Sequence, residues 1–167
     1  MSSADTLTRL FQTTESMIPV VLGDLTDEQA RARPRGEGSP SIAWTVGHML
    51  CMREYMLMQL DDAKENAWGE FQNGPASDGS DYPPVAELIE AWQAQSAGFL
   101  DAMAGLTEDQ LAASAPKGWK PDQPLKELVV FLTWHEAYHI GAIGQLRKAM
   151  GLLGPAERWM QLAQEQD

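Results

Sequence analysis

Cysteine is nearly missing from this 167-residue chain, where Cys51 stands alone. It cannot form an intrachain disulfide, which excludes a secreted disulfide scaffold and fits a reducing compartment. Basic residues are scarce too: 12 Lys and Arg face 24 Asp and Glu, for a formal net charge of −12. Such a surface repels phosphate backbones and anionic lipid, so nucleic acid is not an expected partner. No apolar run approaches the roughly 18 residues that would mark a membrane span, and no membrane partner is expected. Met1–Asp5 carries neither the basic start nor the apolar stretch of a secretory signal, so the expected location is cytoplasmic. Histidine is the third scarcity, with His48, His135 and His139 making up the whole supply. Hydrophobic residues at 44% and charged residues at 22% exclude a disordered tail, and the length fits one domain over residues 1–167.

What is present is helical periodicity. Leu7, Leu10, Phe11, Ile18, Val21, Leu22 and Leu25 recur near i, i+3, i+4 and predict a first amphipathic helix ending near Gly23. Pro19 lies inside it and is expected to kink it. Ser39 as cap and Pro40 as first residue open a second helix through Trp44, His48, Cys51, Met52 and Tyr55 to about Leu60, at most Trp68. A loop rich in Gly, Ser, Asp and Pro follows from Gly69 to Pro83. A third helix spans about Pro84 to Ala104 with Gly105 as its stop, and a fourth Leu125 to Met150 with Gly151 as its stop. A short fifth is expected from Pro155 to Gln166. No segment alternates with period two. The fold class is therefore all-α, a four-helix bundle with short extra helices.

The chain also echoes itself. Leu25-Thr26-Asp27-Glu28-Gln29 returns as Leu106-Thr107-Glu108-Asp109-Gln110, each a capping-box pattern. Each copy follows a long helix, has a proline a few residues on (Pro34, Pro116), and leads through another (Pro40, Pro124) into a histidine-bearing helix. Two helix pairs related by an approximate twofold are expected.

The histidines fall on that framework with a purpose. His135 and His139 are four apart, about 40° around a helix and one turn along it, so two imidazoles can share one cation. Their stripe continues through Leu128, Leu132, Ile143 and Leu146, which turns the pair inward. His48 lies on the stripe of Trp44, Cys51, Met52 and Tyr55, also inward. Burying three ionisable rings is costly unless they are paired or bound to metal. A third imidazole from a facing helix would complete a three-His site with open positions, the ligand set of a catalytic centre.

Neighbouring residues offer chemistry of their own. Cys51, three residues after His48, reads either as a fourth ligand or redox handle, or as a small buried hydrophobe. His135-Glu136-Ala137-Tyr138-His139 has the His-Glu-x-x-His spacing of zinc metalloproteases, where the Glu is general base. The protease reading loses, because the chain lacks strands and its third His lies upstream. Glu136 is left either to act on metal-bound water or to orient a ligand. Tyr138 is a phenol near the site or packing between helices. Trp44 and Trp134 read as core or pocket wall. Met49, Met52, Met56 and Met58 read as gap-fillers. Gly141 and Gly144 cost a helix about 1 kcal/mol each relative to Ala, which suggests close helix approach or room for a ligand.

Trp44-Thr45-Val46-Gly47-His48-Met49-Leu50, followed by Trp134-His135-Glu136-Ala137-Tyr138-His139-Ile140-Gly141, resembles the DinB-like superfamily and its YfiT-type members. The resemblance runs from the first helix through Arg147. It implies an up-down-down-up bundle and one divalent metal ion per chain, zinc or nickel, on His48, His135 and His139. It also implies a homodimer, and a small-molecule substrate that in the better-understood branches includes a low-molecular-weight thiol. The function expected is that of a metal-dependent enzyme of thiol S-transferase type. The alternatives are a metal-dependent hydrolase, or a non-catalytic metal- or small-ligand-binding protein of stress response.

Overall fold

The computed structural model describes residues 2–61, 63–74, 82–115 and 123–165. Seven α-helices are formed there: α1 Ser3–Leu22, α2 Asp27–Arg31, α3 Ile42–Leu60, α4 Val85–Ala104, α5 Glu108–Ala112, α6 Leu125–Ala149 and α7 Pro155–Gln164. A 3₁₀ turn at Gly69–Phe71 interrupts the connection between α3 and α4. No strand occurs among the described residues. The candidate loop after Phe71 and the second echo proline, Pro116, lie partly or wholly outside the described residues.

Side-chain pairings fix the directions of the four long helices. Along α1 and α4, Phe11 meets Phe99 edge to face at 4.8 Å and the Trp92 indole N–H donates to the Glu15 carbonyl at 3.2 Å. Numbering rises in one helix as it falls in the other, so the two are antiparallel. Thr14 bonds Glu136 while Val21 and Asp24 bond Arg147, so α1 and α6 run parallel. By the same reasoning α3 runs parallel to α4, with Gln95 donating to the Leu50 carbonyl and Arg53 to Ser96. It runs antiparallel to α6. The bundle is up-down-down-up, as the resemblance implied.

The expected echo is present in structure. Thr26 and Thr107 each cap a one-turn helix, their hydroxyls accepting from the backbone N–H of Gln29 and Gln110 at 3.2 Å. Each Gln side chain returns the bond to the cap N–H. Thus α1–α2–α3 and α4–α5–α6 are two hairpins of one design, set antiparallel.

Pro19 lies inside α1, which ends at Leu22 with Gly23 as the expected stop. The Glu15 carbonyl, which would have taken the missing N–H of residue 19, is served by Trp92 instead. Ser41, not Ser39, caps α3, its hydroxyl accepting from the Trp44 N–H at 3.1 Å, and Pro40 lies before the cap. Leu10 is exposed although it shares the spacing of the α1 core residues. Gly141 has open space where a Cβ would be, whereas at Gly144 a Cβ would stand 2.8 Å from Pro155 Cδ. Close approach therefore explains Gly144 alone, where α7 turns back over α6.

The core divides into two apolar clusters. One contains Ile18, Leu22, Ile42, Met49, Leu88 and Ile143, the other Phe11, Met56, Phe99, Leu125, Leu128 and Leu132. Between them lies a polar layer drawn from all four long helices. Arg53 donates to Glu136 from Nε at 2.6 Å and from Nη2 at 3.0 Å, and to Ser96 Oγ at 3.0 Å. Thr14 Oγ1 donates to the same carboxylate. The guanidinium lies 3.8 Å over the Trp92 ring. All four polar residues are buried, and their mutual bonds offset the desolvation that burial costs them.

Candidate metal centre

The three histidines meet on the seam between α3 and α6. His135 Nε2 lies 3.1 Å from His48 Nε2 and 3.0 Å from His139 Nε2, and the three ligand atoms fall within 4.8 Å of one another. The i, i+4 spacing on α6 brings two of these rings together, and α3 delivers the third from the antiparallel neighbour. His135 is buried and the other two are part-buried.

His48 is the most tightly positioned. Its ring stacks on Trp44 with centroids 4.8 Å apart and planes 10° from parallel. Its Nδ1 lies 2.8 Å from the Phe71 carbonyl oxygen, an acceptor only, so Nδ1 carries the proton and Nε2 presents a lone pair. Gly47 makes this possible. A Cβ there would stand 2.6 Å from the Phe71 ring, so only glycine lets the 3₁₀ turn close on α3. His135 is wedged against Phe131 with centroids 5.4 Å apart, and its Nδ1 is buried without a partner.

Burial holds all three imidazoles neutral. It lowers the pKa of His48. Burial, then the nearby His48, takes His135 down to about 4, and burial, then the other two rings, takes His139 down to about 3. A neutral imidazole keeps one nitrogen lone pair, and here the three Nε2 atoms lie within 4.8 Å of one another. Where two facing Nε2 atoms both present lone pairs, they repel and in a part-buried setting are poorly solvated. A cation resolves both costs, and neutral imidazole is the ligand form that zinc and nickel take. The donor set therefore fits a divalent ion.

The other candidates fall elsewhere. Glu136 points into the bundle, where Arg53 and Thr14 occupy its carboxylate, so it is a structural partner and not a base at the imidazoles. Cys51 is buried and takes no place in the cluster. Its sulfur accepts from Asn66 Nδ2 at 3.3 Å, and burial pushes the thiol pKa up. Trp44 is buried as expected, but Trp134 and Tyr138 are exposed, at 58% and 57%. These two rings stack on each other at 5.6 Å, and Tyr138 meets His139 edge-on at 5.0 Å. They form an open aromatic rim beside the cluster, not an interior wall.

Arg53, Phe71 and Gly47 were not singled out by sequence reasoning as parts of the site's frame. Arg53 had a signal: with Glu54 it makes up all the charge of the 19-residue α3, and a lone arginine in so apolar a helix asks for a buried carboxylate. Phe71 had none, because its role lies in a backbone carbonyl.

No curated protein matches this sequence. A crystal structure described as a conserved protein of locus from Enterococcus faecalis is similar in fold, with a TM-score of 0.68 at 15% sequence identity, covering 89% of this chain and 97% of that one. The model of the DinB superfamily matches residues 10–143, a span that contains all three histidines and the polar layer between the two cores. The chain belongs to the DinB superfamily.

Proposed function

We propose that this chain is a metal-dependent enzyme in which His48, His135 and His139 hold one divalent ion, zinc or nickel, and a low-molecular-weight thiol is transferred to an electrophile. The observation that carries the reading is the convergence of three neutral Nε2 atoms from two helices. A divalent ion held there supplies Lewis acidity that moves the pKa of a thiol or water at an open position toward neutrality.

The chain's own residues define the rest. The Phe71 carbonyl and Trp44 keep His48 in one tautomer and one orientation. Arg53 pins Glu136 inward, which sets the rotation of α6 and so turns His135 and His139 toward His48. Trp134 and Tyr138 offer exposed aromatic faces on which an apolar electrophile can stack. Hydrolysis is the weaker reading, since it calls for a general base and Glu136 is committed to Arg53. A homodimer formed through helix packing belongs to the same proposal, and light scattering at the 18.4 kDa of one chain would remove it.

Elemental analysis of untagged protein is the first test. One equivalent of metal is expected, with most of it lost in His48→Ala, His135→Ala and His139→Ala. Wild-type metal content in all three variants overturns the site. Thiol consumption with an aromatic electrophile should then vanish with chelator and in His48→Ala and persist in Cys51→Ala. Loss in Cys51→Ala would move the nucleophile onto the protein. Metal without thiol turnover would favour a binding module.

A further inference from the structure

The outer face of α6 departs from the rest of the surface. Between Glu127 and Arg147, with the histidines neutral, the helix carries charge only at Glu136, which is turned inward to Arg53. The exposed positions Val130, Trp134, Ala137, Tyr138, Gly141 and Gln145 recur at three- and four-residue steps, so they form one uncharged stripe along the helix. In a chain with a net charge of −12, two copies repel where acidic faces meet, and this stripe is a face where they do not. Its order is also self-complementary. About a dyad midway between Ala137 and Tyr138, a second α6 running antiparallel sets Trp134 opposite Gly141 and Val130 opposite Gln145. The bulkiest side chain thus meets the position with none, and a Cβ at Gly141 would touch nothing of its own chain within 4 Å, so the space is open to an indole. At both ends of the stripe the same dyad brings Glu127 against the Lys148 position of the second copy, a pair of opposite charges, both exposed. Lys148 also bonds Glu157 of its own chain, and an ammonium with three donors can serve both carboxylates.

We propose that a second copy of this chain docks here, α6 antiparallel on α6, with each Trp134 seated on Gly141 of the partner subunit. The inference rests on the homodimer reading above and gives it a surface and a register. Helix axes that pack at roughly 8–10 Å leave room for an indole only where the facing residue is small. His135 and His139 lie roughly 110° and 150° around α6 from the middle of the stripe, so the contact leaves the seam with α3 open. Tyr138, on the flank toward His139, stays at the rim of that seam with Trp134 stacked behind it.

The test uses the full-length protein in a Cys51→Ala background. Light scattering should give twice the 18.4 kDa of one chain. Gly141→Lys sets a charge against the facing indole and should raise the dissociation constant at least about a hundredfold. The far-UV spectrum should stay unchanged, because the chain has room for the added side chain and lysine favours helix over glycine. Mild oxidation after subunit exchange reads the register. Val130→Cys mixed with Gln145→Cys should give a crosslinked pair. Val130→Cys alone should not, since its two copies stand roughly 22 Å apart along the helix axis. A monomer at all practical concentrations overturns this surface together with the homodimer reading. A dimer that survives Gly141→Lys, or in which Val130→Cys crosslinks to itself as readily as to Gln145→Cys, overturns the surface and leaves the homodimer standing.

Discussion

Asp24 and Arg147 show what a single buried charge does in this bundle. Arg147 is wholly buried, and its guanidinium donates to both Asp24 oxygens at 2.8 and 2.9 Å, to the Val21 carbonyl and, through Nε, to the Leu153 carbonyl. It thus ties the end of α6 to the end of α1 and to the turn before α7. The Arg147 hydrogen bonds hold the Asp24 carboxyl below its usual range. A carboxylate with a lowered folded pKa adds stability that is complete above its unfolded pKa of about 3.9 and is lost as pH falls through the folded value. Asp24→Asn should therefore cost about 1–3 kcal/mol at pH 7, and the gap from wild type should close between about pH 4 and the folded pKa. Urea unfolding at a series of pH values checks this, and a gap that is constant down to pH 3 would contradict it. Single residues were legible in the sequence where their chemistry is rare. The three histidines could be assigned because only three exist and their spacing puts them on two faces. Arg147 could not, because nothing in a chain with 24 Asp and Glu says which arginine meets which carboxylate.

At the scale of elements, the starts of α4 and α6 were readable from Pro84 and Pro124, which stand before them without a side-chain cap, whereas the start of α3 was placed on Ser39 although Ser41 is its cap. The two Thr capping boxes stand where the pentapeptides put them, and Gly105 and Gly151 follow the ends of α4 and α6. Gly151 has φ of 78°, a left-handed turn that glycine adopts without strain. That α1 continues past Pro19 to Gly23 was legible, but the donor that serves the Glu15 carbonyl was not, because Trp92 is 77 residues away. That contact makes a double-mutant prediction. Trp92→Phe keeps a ring beneath Arg53 but leaves the Glu15 carbonyl without a donor, at a cost of about 1–3 kcal/mol. In a Pro19→Ala background the N–H of residue 19 reaches that carbonyl from within the helix. The cost of Trp92→Phe should then shrink by about 1 kcal/mol, read as the coupling energy in denaturant unfolding. Strict additivity would show that Pro19 and Trp92 are unrelated.

For the whole molecule, the buried layer of Thr14, Arg53, Ser96 and Glu136 ties one residue from each long helix to a single level of the bundle. Apolar stripes alone leave four helices free to slide by a turn or rotate by one position. A bidentate ion pair across α3 and α6 does not, and the imidazoles of those same helices meet beside it. The stability of the layer and its role in alignment can be separated by substitution. Arg53→Met leaves Glu136 buried without its partner, and Glu136→Leu leaves Arg53 so, each at about 3–5 kcal/mol. The double variant Arg53→Met, Glu136→Leu removes both charges. Thr14 and Ser96 stay satisfied in it, since the Ser96 hydroxyl donates to the Trp92 carbonyl at 2.8 Å and the single Thr14 proton, released from Glu136, has the Phe11 carbonyl as acceptor at 3.0 Å. Most of the lost stability should therefore return, because apolar side chains of similar volume replace a pair whose desolvation offsets its attraction. Urea unfolding of the four proteins measures this, and a double variant no more stable than the singles would show that the layer is not acting as a pair. Alignment is read separately, by metal content. If the ion pair sets the rotation of α6, the double variant should be stable and yet hold less metal than wild type, whereas full metal content would assign that rotation to the apolar packing alone.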